Sequence, residues 1–144
     1  MKILIINGPN LNLLGVREKE IYGKETYRDL KKYLKRISKS YNVNVKIVQT
    51  NYEGKIIDLL HLALKNHFDG VCLNPGAYTH YSYAIYDAIK SISIPVVEVH
   101  LSDINSREDF RKTSVIRNAC VKSIMGKHFE SYKEGIEYIK NLNK

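Results

Sequence analysis

A chain of 144 residues with 44% hydrophobic residues is long enough for one domain with its own core, and no apolar run approaches the length of a membrane span. The net charge of +8 is spread over lysines on the polar faces of predicted helices. No basic cluster interleaved with exposed aromatics marks a nucleic-acid reader, and two cysteines make no disulfide framework.

The N-terminal MKILIIN is too short in its apolar stretch for a signal peptide, so a cytosolic protein is the simplest reading. Ile3 to Ile6 reads as a buried strand. Asn7 to Gly23, NGPNLNLLGVREKEIYG, then combines Asn, Gly, Pro, one Arg and one Tyr without an apolar period. That composition is too polar for a helix and too long for a plain connector, and a loop of this kind after a parallel strand handles a ligand. Tyr27, Leu30, Leu34, Ile37 and Tyr41 recur at steps of three and four, the signature of one helix face, and Thr26 with Asp29 resembles its N-cap. Val43, Val45 and Ile47 alternate as a second strand. Ile56, Ile57, Leu60, Leu64 and Phe68 form the next helical stripe, followed by a short buried strand, Val71 to Leu73. Tyr83 to Ile92 reads as a third helix with Ala84, Ile85, Ala88 and Ile89 inward. Pro95 opens a fourth strand, Val96 to Val99, and Cys120 to Met125 is a weaker fifth. Tyr132, Ile136, Ile139 and Leu142 mark a C-terminal helix. Cys72 and Cys120 fall in apolar strand-like runs and read as buried free thiols.

Repeated β-α-β units with short apolar strands predict an α/β fold: a flavodoxin-like three-layer sandwich around a five-stranded parallel sheet. No linker, repeat or low-complexity segment interrupts it, so residues 1–144 are expected to form a single domain. On this scaffold three polar clusters fall at carboxyl ends of strands. They are Asn7 to Gly23, then Asn74 to His80, then Glu98, His100, Ser102 and Asp103. In an open α/β sheet that edge binds ligands, so the three clusters predict one pocket.

The chemistry is narrowed first by what is missing. There is no GxGxxG, no Walker loop and no GxSxG elbow. The five histidines show no metal-ligand spacing and lie near no cysteine. What remains, Asn, His, Tyr, Arg, Ser and one Glu, suits proton transfer on a small polyhydroxylated anion. Asparagines hold hydroxyls or a developing oxyanion, and His100 can give a proton to a leaving group. A tyrosine serves as base near neutrality only when about 4 kcal/mol of preferential stabilisation favours its phenolate, and a nearby guanidinium can supply much of that. Arg17 and Tyr22 share one loop, a spacing that allows such contact. Glu98 lies two residues before His100, on the same face of a strand, where a buried carboxylate needs a donor. Each residue also has an ordinary reading. Tyr22 can be a packed loop tyrosine, His100 a structural histidine, and Asp87 a solvated helix residue.

The motifs NGPNLNLLGVREKEIYG, QTNYEG, NPGAYTH and EVHLSDINSREDFR, in this order, resemble those of the type II 3-dehydroquinate dehydratases. The resemblance spans roughly residues 3 to 117 and is looser from Asn118 onward. It implies dehydration of 3-dehydroquinate to 3-dehydroshikimate through an enolate, a step of the shikimate pathway, with no metal, imine or cofactor. Tyr22 would be the base and Arg17, on a mobile lid, would stabilise its phenolate. Asn10 would hold the water or hydrogen bonds at the enolate. His100 would be the acid, with Glu98 orienting its ring. Asn74, the Leu101–Ser102 backbone and the Ser102 hydroxyl would bind the carboxylate. His80 and Arg111 would hold ring hydroxyls. Asp87 would reach a neighbouring subunit's site, because the family assembles as trimers grouped into dodecamers. The resemblance implies no nucleic-acid or membrane partner.

Several positions depart from the family's usual residues. Lys19 stands where Pro is usual, Tyr52 where His is frequent, and Tyr81, Tyr83 and Tyr86 where smaller or charged residues are commoner. Lys112–Thr113 replaces commoner Arg or His. None removes a proposed catalytic residue. The rival readings from other classes are a non-catalytic small-anion or flavin-binding module on the same fold, and a basic nucleic-acid-binding protein.

Overall fold

Apolar residues on consecutive positions of a strand cannot all face one side, so such a strand must be covered on both. Three segments meet that description and form the middle of the sheet. They are β1 (Lys2–Asn7), β3 (Gly70–Asn74) and β4 (Val96–Val99), which are almost wholly buried. The edges are β2 (Asn44–Gln49), whose alternating exposure follows its alternating sequence, and β5 (Lys122–Ile124). A computed structural model describes residues 1–144, and its five strands are all parallel in the order β2-β1-β3-β4-β5. That is the doubly wound, flavodoxin-like order, with the chain's direction of winding reversing between β1 and β3.

The period of two along β1 divides the core. Ile3 and Ile5 face one side, with α2 (Tyr27–Tyr41) and α5 (Glu130–Leu142), while Leu4 and Ile6 face the other, with α3 (Glu53–Lys65) and α4 (Tyr83–Lys90). The helix stripes read from the sequence account for most of this. Leu30 and Leu34 on α2, Ile56 and Leu60 on α3, and Tyr132, Ile136 and Ile139 on α5 have no exposed surface. α2 begins with a complete capping box. The Asp29 N–H donates to Thr26 Oγ1 at 3.1 Å, and the Thr26 N–H donates to Asp29 Oδ2 at 2.9 Å.

Several expectations are corrected. Ala84 is exposed, because α4 packs against α3 and the sheet through Ile85, Ala88 and Ile89, and its first turn stands off that contact. α4 ends at Lys90 rather than Ile92. Phe68 is buried but lies beyond α3. His67 turns left-handed (φ 54°), and the Phe68 N–H closes on the Ala63 carbonyl at 3.0 Å. Leu142 is half-exposed in the last turn of α5, where helix ends fray. Cys72 is a buried free thiol as expected, with burial pushing it up to about 12. Cys120 is also free but only partly buried, and it precedes β5 instead of lying in it. The loop after β1 contains a 3-10 turn (Leu11–Leu13) and a one-turn helix, α1 (Lys19–Tyr22), where no helix was expected.

Two glycines stitch the strand ends together. The Gly8 N–H donates to the Asn74 carbonyl at 2.7 Å, and a Cβ on Gly8 would stand 2.7 Å from the Pro75 carbonyl carbon. Gly76 answers from the other side, left-handed (φ 60°) against the Pro9 ring. Only a residue without a side chain allows the backbones after β1 and β3 to come this close. No helix is long and apolar enough to cross a membrane.

Candidate active site

The strands end in register. Asn7 lies beside Gln49 and Asn74, and Leu73 beside Glu98, so the polar residues that follow β1, β3 and β4 converge on one cavity of about 100 Å³. Asn10, Arg17 and Tyr22 line it from the loop after β1. Asn74 and His80 come from the end of β3, and His100, Leu101 and Ser102 from the end of β4. Arg111, on a following 3-10 turn, closes it. Nine of the residues singled out from the sequence thus meet at one place. Glu98 stands directly behind them. Asp87 is not among them; it is exposed on α4, away from this cavity.

The His100 side of the cavity is set in the core. Glu98 has no exposed surface, and its Oε1 accepts from the His100 Nε2–H at 2.7 Å. An ionised carboxylate in such a place needs all its lone pairs met. Three hydroxyls complete the set. Thr79 Oγ1 donates at 2.7 Å, Ser114 Oγ lies 2.8 and 3.1 Å from the two oxygens, and Ser123 Oγ donates at 3.3 Å. Burial by itself would raise the Glu98 carboxyl. The hydrogen bonds and charge of His100, with the hydroxyls of Thr79 and Ser114, outweigh it and hold the carboxyl below its usual value. Because the carboxylate can only accept, His100 carries its proton on Nε2 and turns Nδ1 away from Glu98. Thr79, Ser114 and Ser123 were not anticipated, since a lone Ser or Thr in a turn, a loop or a three-residue edge strand carries no periodic signal.

The Tyr22 side is built from a phenol and two guanidinium groups. The Tyr22 hydroxyl accepts from Arg107 Nη1 at 2.5 Å. The Arg107 and Arg17 guanidinium carbons lie 5.2 and 4.9 Å from the centre of the Tyr22 ring. Arg17 was expected beside Tyr22. Arg107 was missed, although it stands in the SREDFR segment four residues before Arg111, in the loop that follows His100. Glu18 joins the arginines, with Oε2 2.5 Å from Arg17 Nη2 and Oε1 3.7 Å from Arg107 Nη2. The Arg17 hydrogen bond holds its carboxyl below the usual value. One guanidinium thus bonds the phenol oxygen and a second lies against the ring, across a cavity that His100 lines from a different strand end.

The remaining walls are donors and acceptors for a small ligand. The His80 Nδ1–H donates to the Thr113 carbonyl at 2.7 Å, and burial lowers its pKa, which leaves Nε2 of a neutral ring as an acceptor. The Phe110 ring holds both His80, edge-on at 5.8 Å, and the Arg111 guanidinium, 4.7 Å above it. The N–H groups of Leu101 and Ser102 donate to no backbone carbonyl, so two adjacent amide donors are free at the cavity edge. Asn10 sits in the left-handed region (φ 69°), a conformation that Asn tolerates better than most residues. Its N–H donates to Asn51 Oδ1 at 3.1 Å, and Gln49 Nε2 donates to the same oxygen at 3.1 Å and to the Gly8 carbonyl at 3.2 Å. This gives the QTNYEG motif a role: it holds the first loop. No lysine lines the cavity, and no group of three or more His, Cys, Asp or Glu side chains is placed to hold a metal ion.

Comparison with known proteins agrees over nearly the whole chain. Residues 1–140 match the family described as Dehydroquinase class II. The chain is 55% identical over 142 residues to the 3-dehydroquinate dehydratase of Clostridium acetobutylicum, which covers 99% of this chain and 98% of that one. Among solved structures, the type II dehydroquinase from Butyrivibrio crossotus superposes with a TM-score of 0.96 at 50% identity, covering 97% of each chain. The type II dehydroquinase from Propionibacterium acnes gives 0.93 at 35% identity, covering 97% of this chain and 96% of that one. A shared fold alone leaves function open, but identity at this level over full length does not stop at the fold. With its doubly wound sheet and the phenol, imidazole and guanidinium groups at its carboxyl edge, this chain belongs to the class II dehydroquinase family.

Proposed function

We propose that the chain catalyses the dehydration of 3-dehydroquinate to 3-dehydroshikimate and water, through an enolate, as part of the route to aromatic amino acids. The observation that carries this reading is the pairing of Tyr22 with two guanidinium groups on one side of a cavity that holds the Glu98-supported His100 on another.

The chemistry divides between those sides. The C2–H of the substrate is acidic because the adjacent C3 ketone accepts the electron pair as an enolate. Tyr22 as phenolate takes that proton and becomes a neutral phenol, with Arg107 and Arg17 stabilising the phenolate beforehand. Polar groups at Asn10 stabilise the enolate oxygen, charge that develops only in the transition state. The enolate then reforms its ketone, the C1–C2 double bond forms and the C1–O bond breaks. His100 acts as the acid when it carries a proton on each ring nitrogen: it gives the Nδ1 proton to the departing hydroxyl, which leaves as water, and keeps the Nε2 proton that Glu98 holds. The free Leu101 and Ser102 amides, with Asn74 and the Ser102 hydroxyl, hold the substrate carboxylate. His80 and Arg111 hold ring hydroxyls. No covalent intermediate is needed, in keeping with a cavity free of lysine.

The same reading makes the chain the protomer of a trimer-based dodecamer acting in the cytoplasm. Asp87, exposed on α4, is then free to reach a neighbouring subunit's cavity. A flavin- or anion-binding module without turnover is not favoured, given the family match over residues 1–140.

The test is to mix purified protein with 3-dehydroquinate and follow the ultraviolet absorbance of the conjugated enone product, with a chelator present. Chelator-insensitive growth of the signal is expected. Tyr22→Phe should lower kcat by at least about 10³-fold, within the range for loss of a positioned base, while binding of a substrate analogue is kept. Retained turnover in that variant removes Tyr22 from the role of base.

A further inference from the structure

Tyr132 lies on α5 with no exposed surface, and its hydroxyl sits between two asparagines at the ends of β1 and β3. Its O–H donates to Asn7 Oδ1 at 2.6 Å, and its oxygen accepts from Asn74 Nδ2 at 3.0 Å. Asn74 Oδ1 accepts the Gly76 N–H at 3.2 Å. These bonds determine one another. A phenol has one hydrogen, and Tyr132 gives it to Asn7, so toward Asn74 it can only accept. That sets the amide nitrogen of Asn74 against Tyr132 and its oxygen against Gly76. The nitrogen carries two hydrogens, and Tyr132 takes one. The other remains as a donor on a side chain that lines the cavity. Burial pushes the Tyr132 phenol well above its ordinary value, so it stays a protonated donor throughout the pH range of the folded protein.

We propose that Tyr132 is a positioning residue: it locks the Asn74 amide so that an N–H, and not the carbonyl oxygen, is offered to the anionic group of the substrate. The inference rests on the dehydratase reading of the cavity. If the amide turned over, an acceptor would face the substrate's carboxylate, and attraction would become repulsion. The lock comes from the helix farthest along the chain, whereas the groups it orders stand on the first and third strands.

A double-mutant cycle with the full-length protein and 3-dehydroquinate tests it, using Tyr132→Phe, Asn74→Ala and the two together. Phenylalanine keeps the ring that packs the core and removes only the oxygen. In Tyr132→Phe, KM should rise about tenfold, the size of one lost hydrogen bond, with kcat within about threefold of wild type. In the Asn74→Ala background the same change should leave KM where it was, because the residue it acts through is gone. A purely structural role would lower Tm without moving KM, or would move KM equally in both backgrounds, and either result overturns the proposal. Asn7→Ala gives a second route if Tyr132→Phe does not fold. It frees the Tyr132 hydrogen, so the phenol no longer has to accept from Asn74 and only the Gly76 N–H still holds the amide; KM should rise there too, and an unmoved KM is an equal refutation. Absence of turnover by the wild-type protein would sink the dehydratase reading and this inference with it. Turnover by wild type with an unchanged KM in both variants would sink the inference alone.

Discussion

A carboxylate with no exposed surface and no arginine or lysine against it is an expensive thing to keep charged. Glu98 stays charged because three hydroxyls and the His100 ring supply the donors that water would have supplied. Its lowered pKa has a defined consequence for stability. The contribution is fully present above the ordinary carboxylate value and is lost as pH falls through the lower folded value. Wild-type protein should therefore lose stability on acidification below about pH 4.5, near the unfolded value of a glutamate. Glu98→Gln should lack that part of the acid dependence, as urea midpoints between pH 3 and 7 would show. The same variant turns an acceptor-only group into one with its own N–H donors, which face the Thr79 and Ser114 hydroxyls. It should lower kcat by about 10²-fold, at the lower end of the loss expected for impaired general acid catalysis. Equal kcat in the two proteins would mean that Glu98 holds the fold and not the acid.

The elements around the cavity differ in how firmly they are held. β1, β3 and β4 form the middle of the sheet, covered on both faces. α1 is the opposite case. It has four residues, buries none of them, and has no side-chain cap, with left-handed Glu18 (φ 38°) at its start and Gly23 at positive φ (83°) at its end. Ion pairs and the Tyr22–Arg107 bond hold it in place, so its position responds to charge and salt more than the sheet does. α2, which follows, is anchored at its first turn by the Thr26–Asp29 box. Thr26→Ala removes one side of that box and should cost about 1 kcal/mol of stability. Denaturant unfolding gives the magnitude. KM and kcat should stay at wild-type values, since neither residue of the box touches the cavity.

At the scale of the whole molecule, the elements that follow from burial were legible and those that follow from convergence were not. The unbroken apolar run of β1, the alternation in β2, and the steps of three and four in α2, α3 and α5 follow from which faces the sheet covers. They failed toward the ends of helices, at Leu64, Ala84 and Leu142, which are exposed. The Glu98–His100 pair could be read because both residues lie on one face of one strand. Arg107 could not, because its contact with Tyr22 spans 85 residues, and nothing in a loop sequence states which arginine will arrive. Thr79, Ser114 and Ser123 escaped for the same reason, each brought to Glu98 from a different segment. α1 was hidden because four residues without a cap or an inward face leave no pattern.

The link between Asn7 and Tyr132 joins positions 125 residues apart and closes over almost the full length of the chain. It bears on the order in which the molecule is made. A ribosome delivers Asn10, Tyr22, Asn74 and His100 well before the final helix, so these cavity-lining residues exist before Tyr132 can pack behind them. A refolding chain meets the same constraint, because closing so long a loop is an entropically late event. Enzyme activity should then return only with the slowest phase in which Tyr132 becomes buried, after helical circular dichroism has largely recovered. In a stopped-flow experiment, tight substrate capture would serve as the clock for docking of the C-terminal helix.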